Sequence, residues 1–122
     1  MPSILVVEDT LANMRLAVFL LEQAGHTVLQ AIDAETGLAL ARKNNPALIL
    51  MDIQLPGMDG LQAAAILKAD PLTAAIPIIA LTALAMKGDE ERIRAAGCDG
   101  YIAKPMRYYE LIAAVDAALG AP

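Results

Sequence analysis

Four apolar runs in this chain stop at residues suited to phosphate or metal chemistry: Ile4 to Val7 at Glu8 and Asp9, Leu48 to Met51 at Asp52, Ile78 to Leu81 at Thr82, and Tyr101 to Ala103 at Lys104. Runs this short, separated by stretches with helical spacing, read as buried strands of a parallel sheet, whose ligand sites lie outside the carboxyl ends of the strands. Carboxylates, a hydroxyl and an ammonium are therefore expected to converge along one edge of the sheet.

A chain of 122 residues has the size of one ordinary domain, able to bury roughly two thirds of its unfolded surface around a single core. Residues 1–122 are read as one unit with a loose tail over 119–122. Apolar residues make up 57% of the chain but aromatics only 3%, so the core has to be built from Ala, Leu, Ile, Val and Met, which favours close helix-on-sheet packing. The formal charge is -5 with no cluster of Lys and Arg, which argues against direct nucleic-acid binding. Cys98 is the only cysteine, so there is neither an internal disulfide nor a four-ligand zinc site, and a buried, inert thiol in a reducing compartment is expected. The start Met-Pro-Ser-Ile-Leu lacks a basic leader, and the longest apolar tract, 74–86, contains Pro77 and is too short to cross a bilayer. A soluble, cytoplasmic protein without membrane association is expected.

The spacing predicts strands over 3–7, 27–31, 48–51, 78–81 and 100–103, and helices over 11–24, 34–43, 61–69, 88–96 and 107–119. Gly25 closes the first helix, Asp33 caps the second, and Asp70-Pro71 ends the third. Loops are expected over 55–60 and over 83–86. The last helix carries a core stripe of Tyr108, Leu111, Ile112, Val115 and Leu119. On the first, Leu16, Ala17, Leu20 and Ala24 share the face toward the sheet, which points Val18 and Phe19 outward. The fold class is α/β: a doubly wound, flavodoxin-like (βα)5 arrangement with a five-stranded parallel sheet in the order 2-1-3-4-5. That order sets strands one and three side by side and brings Glu8 and Asp9 next to Asp52.

Clustered carboxylates raise one another's pKa, and a cation relieves the repulsion. An all-oxygen ligand set without His or Cys calls for a hard ion, best Mg2+. Lys104 adds a second positive charge and Thr82 a rotatable donor, so the group resembles a phosphoryl cradle. Asp52, alone at a central strand end, is the natural nucleophile for an aspartyl phosphate. Each residue also has a structural explanation: Glu8 and Asp9 as a helix cap, Thr82 as a strand threonine, Lys104 as a solvated lysine. What favours chemistry is that four separate strand ends carry mutually complementary groups.

With these residues in view, the chain resembles the receiver domains of two-component response regulators. The resemblance spans essentially the whole chain and rests on Val6-Val7-Glu8-Asp9, on Leu50 through Gly60, on Leu81-Thr82-Ala83, and on Tyr101-Ile102-Ala103-Lys104-Pro105. The run Ala85 to Arg94 is similar to the DivK branch of single-domain regulators, a wording shared with receivers of hybrid kinases. The resemblance implies Asp52 as phosphoacceptor, Asp9 as a direct Mg2+ ligand, Glu8 as a ligand through water, and the Gln54 carbonyl completing the shell. It further implies that Thr82, with Ala83 beside it, and Lys104 hold the phosphoryl oxygens, that the bond before Pro105 is cis, and that Thr82 and Tyr101 are a coupled switch pair.

The implied partners are a histidine kinase or histidine phosphotransfer protein, docking on Val18 and Phe19, and a downstream protein reached through the fourth helix, fifth strand and fifth helix. The fourth helix is thinly apolar and suits a switch. A monomer or weak dimer is expected, with no separate substrate turnover. The alternatives are a receiver segment of a larger hybrid kinase and, more distantly, a phosphohydrolase of the haloacid dehalogenase type. The latter wants a second aspartate two residues after its nucleophile, where this chain has Gln54.

Overall fold

Leu48, Ile49, Leu50 and Met51 have no polar residue among them, so the segment suits only a strand covered on both faces. In the computed structural model, which describes residues 3–83 and 87–120 apart from the side chains of 87 and 88, it forms β3 (Leu48–Asp52), buried throughout. The other elements are β1 (Ser3–Val7), α1 (Leu11–Gln23), β2 (Thr27–Ala31), α2 (Ala34–Asn44), α3 (Gly60–Ala69), β4 (Ile78–Thr82), α4 (Lys87–Ala95), β5 (Gly100–Ala103) and α5 (Tyr108–Ala118). The strands pair in parallel in the order β2-β1-β3-β4-β5. This is the expected flavodoxin-like topology. The loop expected over 83–86 falls mostly outside the described residues.

The two-residue period of the strands divides the core into two layers. Leu5, Val7, Ile49, Met51, Ile78 and Ala80 face α2, α3 and Ile93 of α4. Ile4, Val6, Leu48, Leu50, Ile79 and Leu81 face α1 and α5. Small residues let the helices approach: a Cβ at Gly37 of α2 would lie 2.8 Å from the Val7 side chain. Local chemistry sets the helix ends. Asp33 accepts from the Thr36 N–H at 2.7 Å, Asp59 and Gln62 form a reciprocal capping box, and Gly25 follows α1 with φ +92.

The expected face of α1 holds at Ala17, which is buried, and at Leu20, which packs against the core, but Leu16 is exposed and the buried face is completed by Met14 and Leu21. Val18, expected to point outward, is half-buried and packs with the α1 and α5 layer; Phe19 is 59% exposed as expected. The helix is apolar on both flanks, so spacing alone leaves its buried centre undetermined. On α5 the stripe holds at Leu111 and Val115, but Tyr108 is exposed and stacks edge-on against Tyr109 at 5.4 Å. Leu119, expected on this stripe and also at the start of the loose tail, packs against the core.

Candidate functional site

Parallel pairing carries the ends of β1, β3, β4 and β5 to one edge, and the register fixes their relative heights. Val7 pairs with Met51, so Glu8 and Asp52 emerge at the same level. Asp52 pairs with Leu81, which sets Thr82 one residue beyond it. Thr82 pairs with Ala103, and Lys104 follows. Asp9, by contrast, stands exposed at the rim.

Asp52 is 2% exposed. Its Oδ1 accepts from the Gln54 N–H at 2.9 Å, and its Oδ2 accepts from Lys104 Nζ at 3.0 Å. Glu8 is wholly buried: its N–H donates to the Ala31 carbonyl at 3.0 Å, and its Oε1 accepts from the Thr10 N–H at 3.2 Å and from Asn13 Nδ2 at 3.5 Å. Lys104 Nζ stands 2.9 Å from Glu8 Oε2, yet that oxygen makes no hydrogen bond. The ammonium is thus held between Glu8 and Asp52 as an ion pair with both carboxylates.

One carboxylate oxygen each from Glu8, Asp9 and Asp52 lies within 4.8 Å of the others. Three hard carboxylate oxygens at this spacing, two of them from buried residues, suit a hard divalent cation. The charges set the titration of the site. Burial raises the Asp52 carboxyl above its ordinary value, with the Glu8 charge adding to the effect, against the opposing pull of the Gln54 N–H and Lys104. Burial works to lower Lys104, but pairing with Glu8 and Asp52 outweighs it and holds the ammonium above its usual range.

Thr82 is wholly buried, and its carbonyl accepts from the Lys104 N–H at 2.7 Å. The Lys104-Pro105 bond is cis; Ala83 and Pro105 are exposed and Tyr101 is half-buried on β5. Gln54 reaches the site through its N–H. Val18 and Phe19 lie along α1, away from the carboxylates. Cys98 is buried, and its thiol is pushed up to about 11 by burial with a contribution from Asp99, which matches the expected inert thiol.

Three features escaped the sequence reading. Asn13 donates to Glu8, and its only sequence signal is a polar residue on an otherwise apolar stripe. Lys104, expected to aim at Asp52 and the phosphoryl group, also pairs with Glu8. Gly60 reads as a turn residue, yet it opens α3 directly against the Asp52 backbone.

Residues 4–116 match the response regulator receiver domain family. The chain is 46% identical over 118 residues to the polar-differentiation response regulator DivK of Brucella ovis, covering 97% of this chain and 96% of that protein. Among solved structures, the receiver domain of sensor histidine kinase PA1611 from Pseudomonas aeruginosa, which has a magnesium ion coordinated in its active site cleft, superposes with TM-score 0.91 at 34% identity, covering 98% of each chain. The chemotaxis protein CheY4 of Vibrio cholerae shares the fold with TM-score 0.92 at 24% identity, over 97% of this chain and 98% of that one. With the fold, the acidic cluster and the sequence match in agreement, the chain belongs to the response regulator receiver domains.

Proposed function

We propose that residues 1–122 act as one phosphoacceptor domain that takes a phosphoryl group from a phosphohistidine onto Asp52. The observation that carries this reading is a buried carboxylate at a central strand end, bonded to Lys104 and clustered with Glu8 and Asp9. An Asp52 carboxylate oxygen attacks phosphorus, the P–N bond of the donor breaks, and the imidazole leaves with the bond's electron pair. Glu8, Asp9, Asp52 and the Gln54 carbonyl would hold Mg2+, which when bound neutralises the carboxylates and the incoming anion. Lys104 turns from Asp52 to the new phosphoryl oxygens, and Thr82 supplies a hydroxyl donor beside Ala83.

Movement of Thr82 toward the phosphoryl group draws Tyr101 inward and alters the α4, β5 and α5 surface read by a downstream protein. Receiver domains are signalling switches rather than enzymes of substrate turnover; in this chain the same groups would promote both gain and loss of the phosphoryl group. The charge balance gives no basis for nucleic-acid binding, and no helix among the described residues is long and apolar enough to cross a membrane. We further read the chain as a cytoplasmic protein, monomeric or weakly dimeric.

Acetyl phosphate tests the reading without a partner protein. Intact-mass measurement is expected to show one added phosphoryl group with Mg2+ and none after chelation; uptake that ignores chelation would contradict the cation role.

Docking of the phosphohistidine partner falls to α1, which begins beside the acidic pair. Phe19 presents its ring to solvent there, with half-buried Val18 at its base. Burying such an aromatic at an interface centre is worth about 2 kcal/mol, roughly 30-fold in affinity. Phe19→Ala should slow transfer from a phosphohistidine donor by about that factor while leaving uptake from acetyl phosphate unchanged. Equal rates with both donors would make Phe19 an incidental surface residue.

A further inference from the structure

We infer that Asn13 is a positioning residue for Glu8, turning its carboxylate toward the cation site; the assignment rests on the Mg2+ reading above. The buried stripe of α1 includes Ala17 and Leu21, and the position one turn before Ala17 is 13. There the chain carries an amide, half-buried, although asparagine is among the weaker helix formers and an apolar residue would extend the stripe. The amide is turned to the site instead of to solvent: Nδ2 lies 3.5 Å from Glu8 Oε1, at the long end of hydrogen-bond range.

Glu8 needs such a partner. Its side chain has one more rotatable bond than an aspartate would, so its carboxylate has one more orientation to fix. The Thr10 N–H, 3.2 Å from Oε1, and the Lys104 ammonium, 2.9 Å from Oε2, hold one point on each oxygen. A second donor on Oε1 keeps that oxygen at the start of α1 and so directs Oε2 to the strand-end cluster, where it stands 2.9 Å from Lys104 Nζ. Donors that orient a ligating carboxylate commonly change metal affinity 10- to 100-fold.

Calorimetric titration of the whole chain with Mg2+ alone tests this. Asn13→Leu, which continues the Ala17 and Leu21 stripe, is expected to weaken Mg2+ binding about tenfold. In a Glu8→Asp background, whose shorter side chain withdraws the carboxylate from the amide, the same substitution should change affinity by no more than about twofold. Asn13→Ala, which only truncates, makes the same comparison without adding bulk. Wild-type affinity in both Asn13 variants, or the same loss in both backgrounds, would overturn the positioning role. Asp9→Asn separates this from the cation reading: if it abolishes binding, the Asn13 result judges the positioning alone. If Asp9→Asn binds Mg2+ as wild type does, the cation reading fails and the role of Asn13 with it.

Discussion

Asp52→Asn should take up no phosphoryl group from acetyl phosphate and yet, without Mg2+, should resist urea better than wild type. Both outcomes follow from the same buried carboxylate. Burial, with the Glu8 charge beside it, raises the Asp52 pKa more than the Gln54 N–H and Lys104 lower it. The native state therefore holds this proton more tightly than the unfolded chain, and ionised Asp52 costs stability at neutral pH. An amide removes the charge while keeping an oxygen for the Gln54 N–H. Wild type loses the same cost on acidification, so the stability gap should be open at neutral pH and close as pH falls toward about 4, the ordinary carboxylate range. Urea unfolding at the two pH values reads the gap. A variant less stable than wild type at neutral pH would contradict the burial account, and an undiminished mass gain would remove Asp52 as the nucleophile.

Gly60→Ala is expected to be the most disruptive single methyl among the described glycines. A Cβ there would overlap the carbonyl oxygen of Asp52 and come within 2.7 Å of Ile53 Cα and 2.8 Å of the Asp52 carbonyl carbon. All of these are backbone atoms, so no side chain can swing aside. The Gly60 N–H also donates to the Ile53 carbonyl at 3.3 Å, closing the loop that carries Gln54. Overpacking of this kind costs about 3 kcal/mol, and the displaced strand end should slow phosphoryl uptake as well. Gly100→Ala is the control: its Cβ meets nothing within 4 Å, and a change within about 0.5 kcal/mol is expected. Equal denaturation midpoints for the two variants would show that α3 does not need to lie this close to Asp52.

How far the sequence was legible follows from which signals are local. The strand ends could be read because an uninterrupted apolar run that stops at a charge fixes both a buried strand and the end that carries chemistry. Glu8, Asp52 and Lys104 accordingly meet in the structure as the runs implied. The buried face of α1 was legible only in part: Ala17 and Leu20 pack as expected, but Leu16 is as apolar as Met14 and Leu21, and only the sheet beneath decides between them. The pairing of Lys104 with Glu8 was not legible: β5 lies three strands from β1, and the reach of a long ammonium that far is a tertiary fact. Gly60 and Asn13 act through single close contacts, for which composition and periodicity carry no signal.

The central claim is that Asp52 alone receives the phosphoryl group. Borohydride reduces an acyl phosphate to the corresponding alcohol and so leaves a stable mark on the carboxylate that carried it. After incubation with acetyl phosphate and Mg2+, reduction, proteolysis and tandem mass spectrometry, the mark should fall on Asp52 and nowhere else. A mark on Glu8 or Asp9, or no mark on a chain that has gained the phosphoryl mass, would contradict the account.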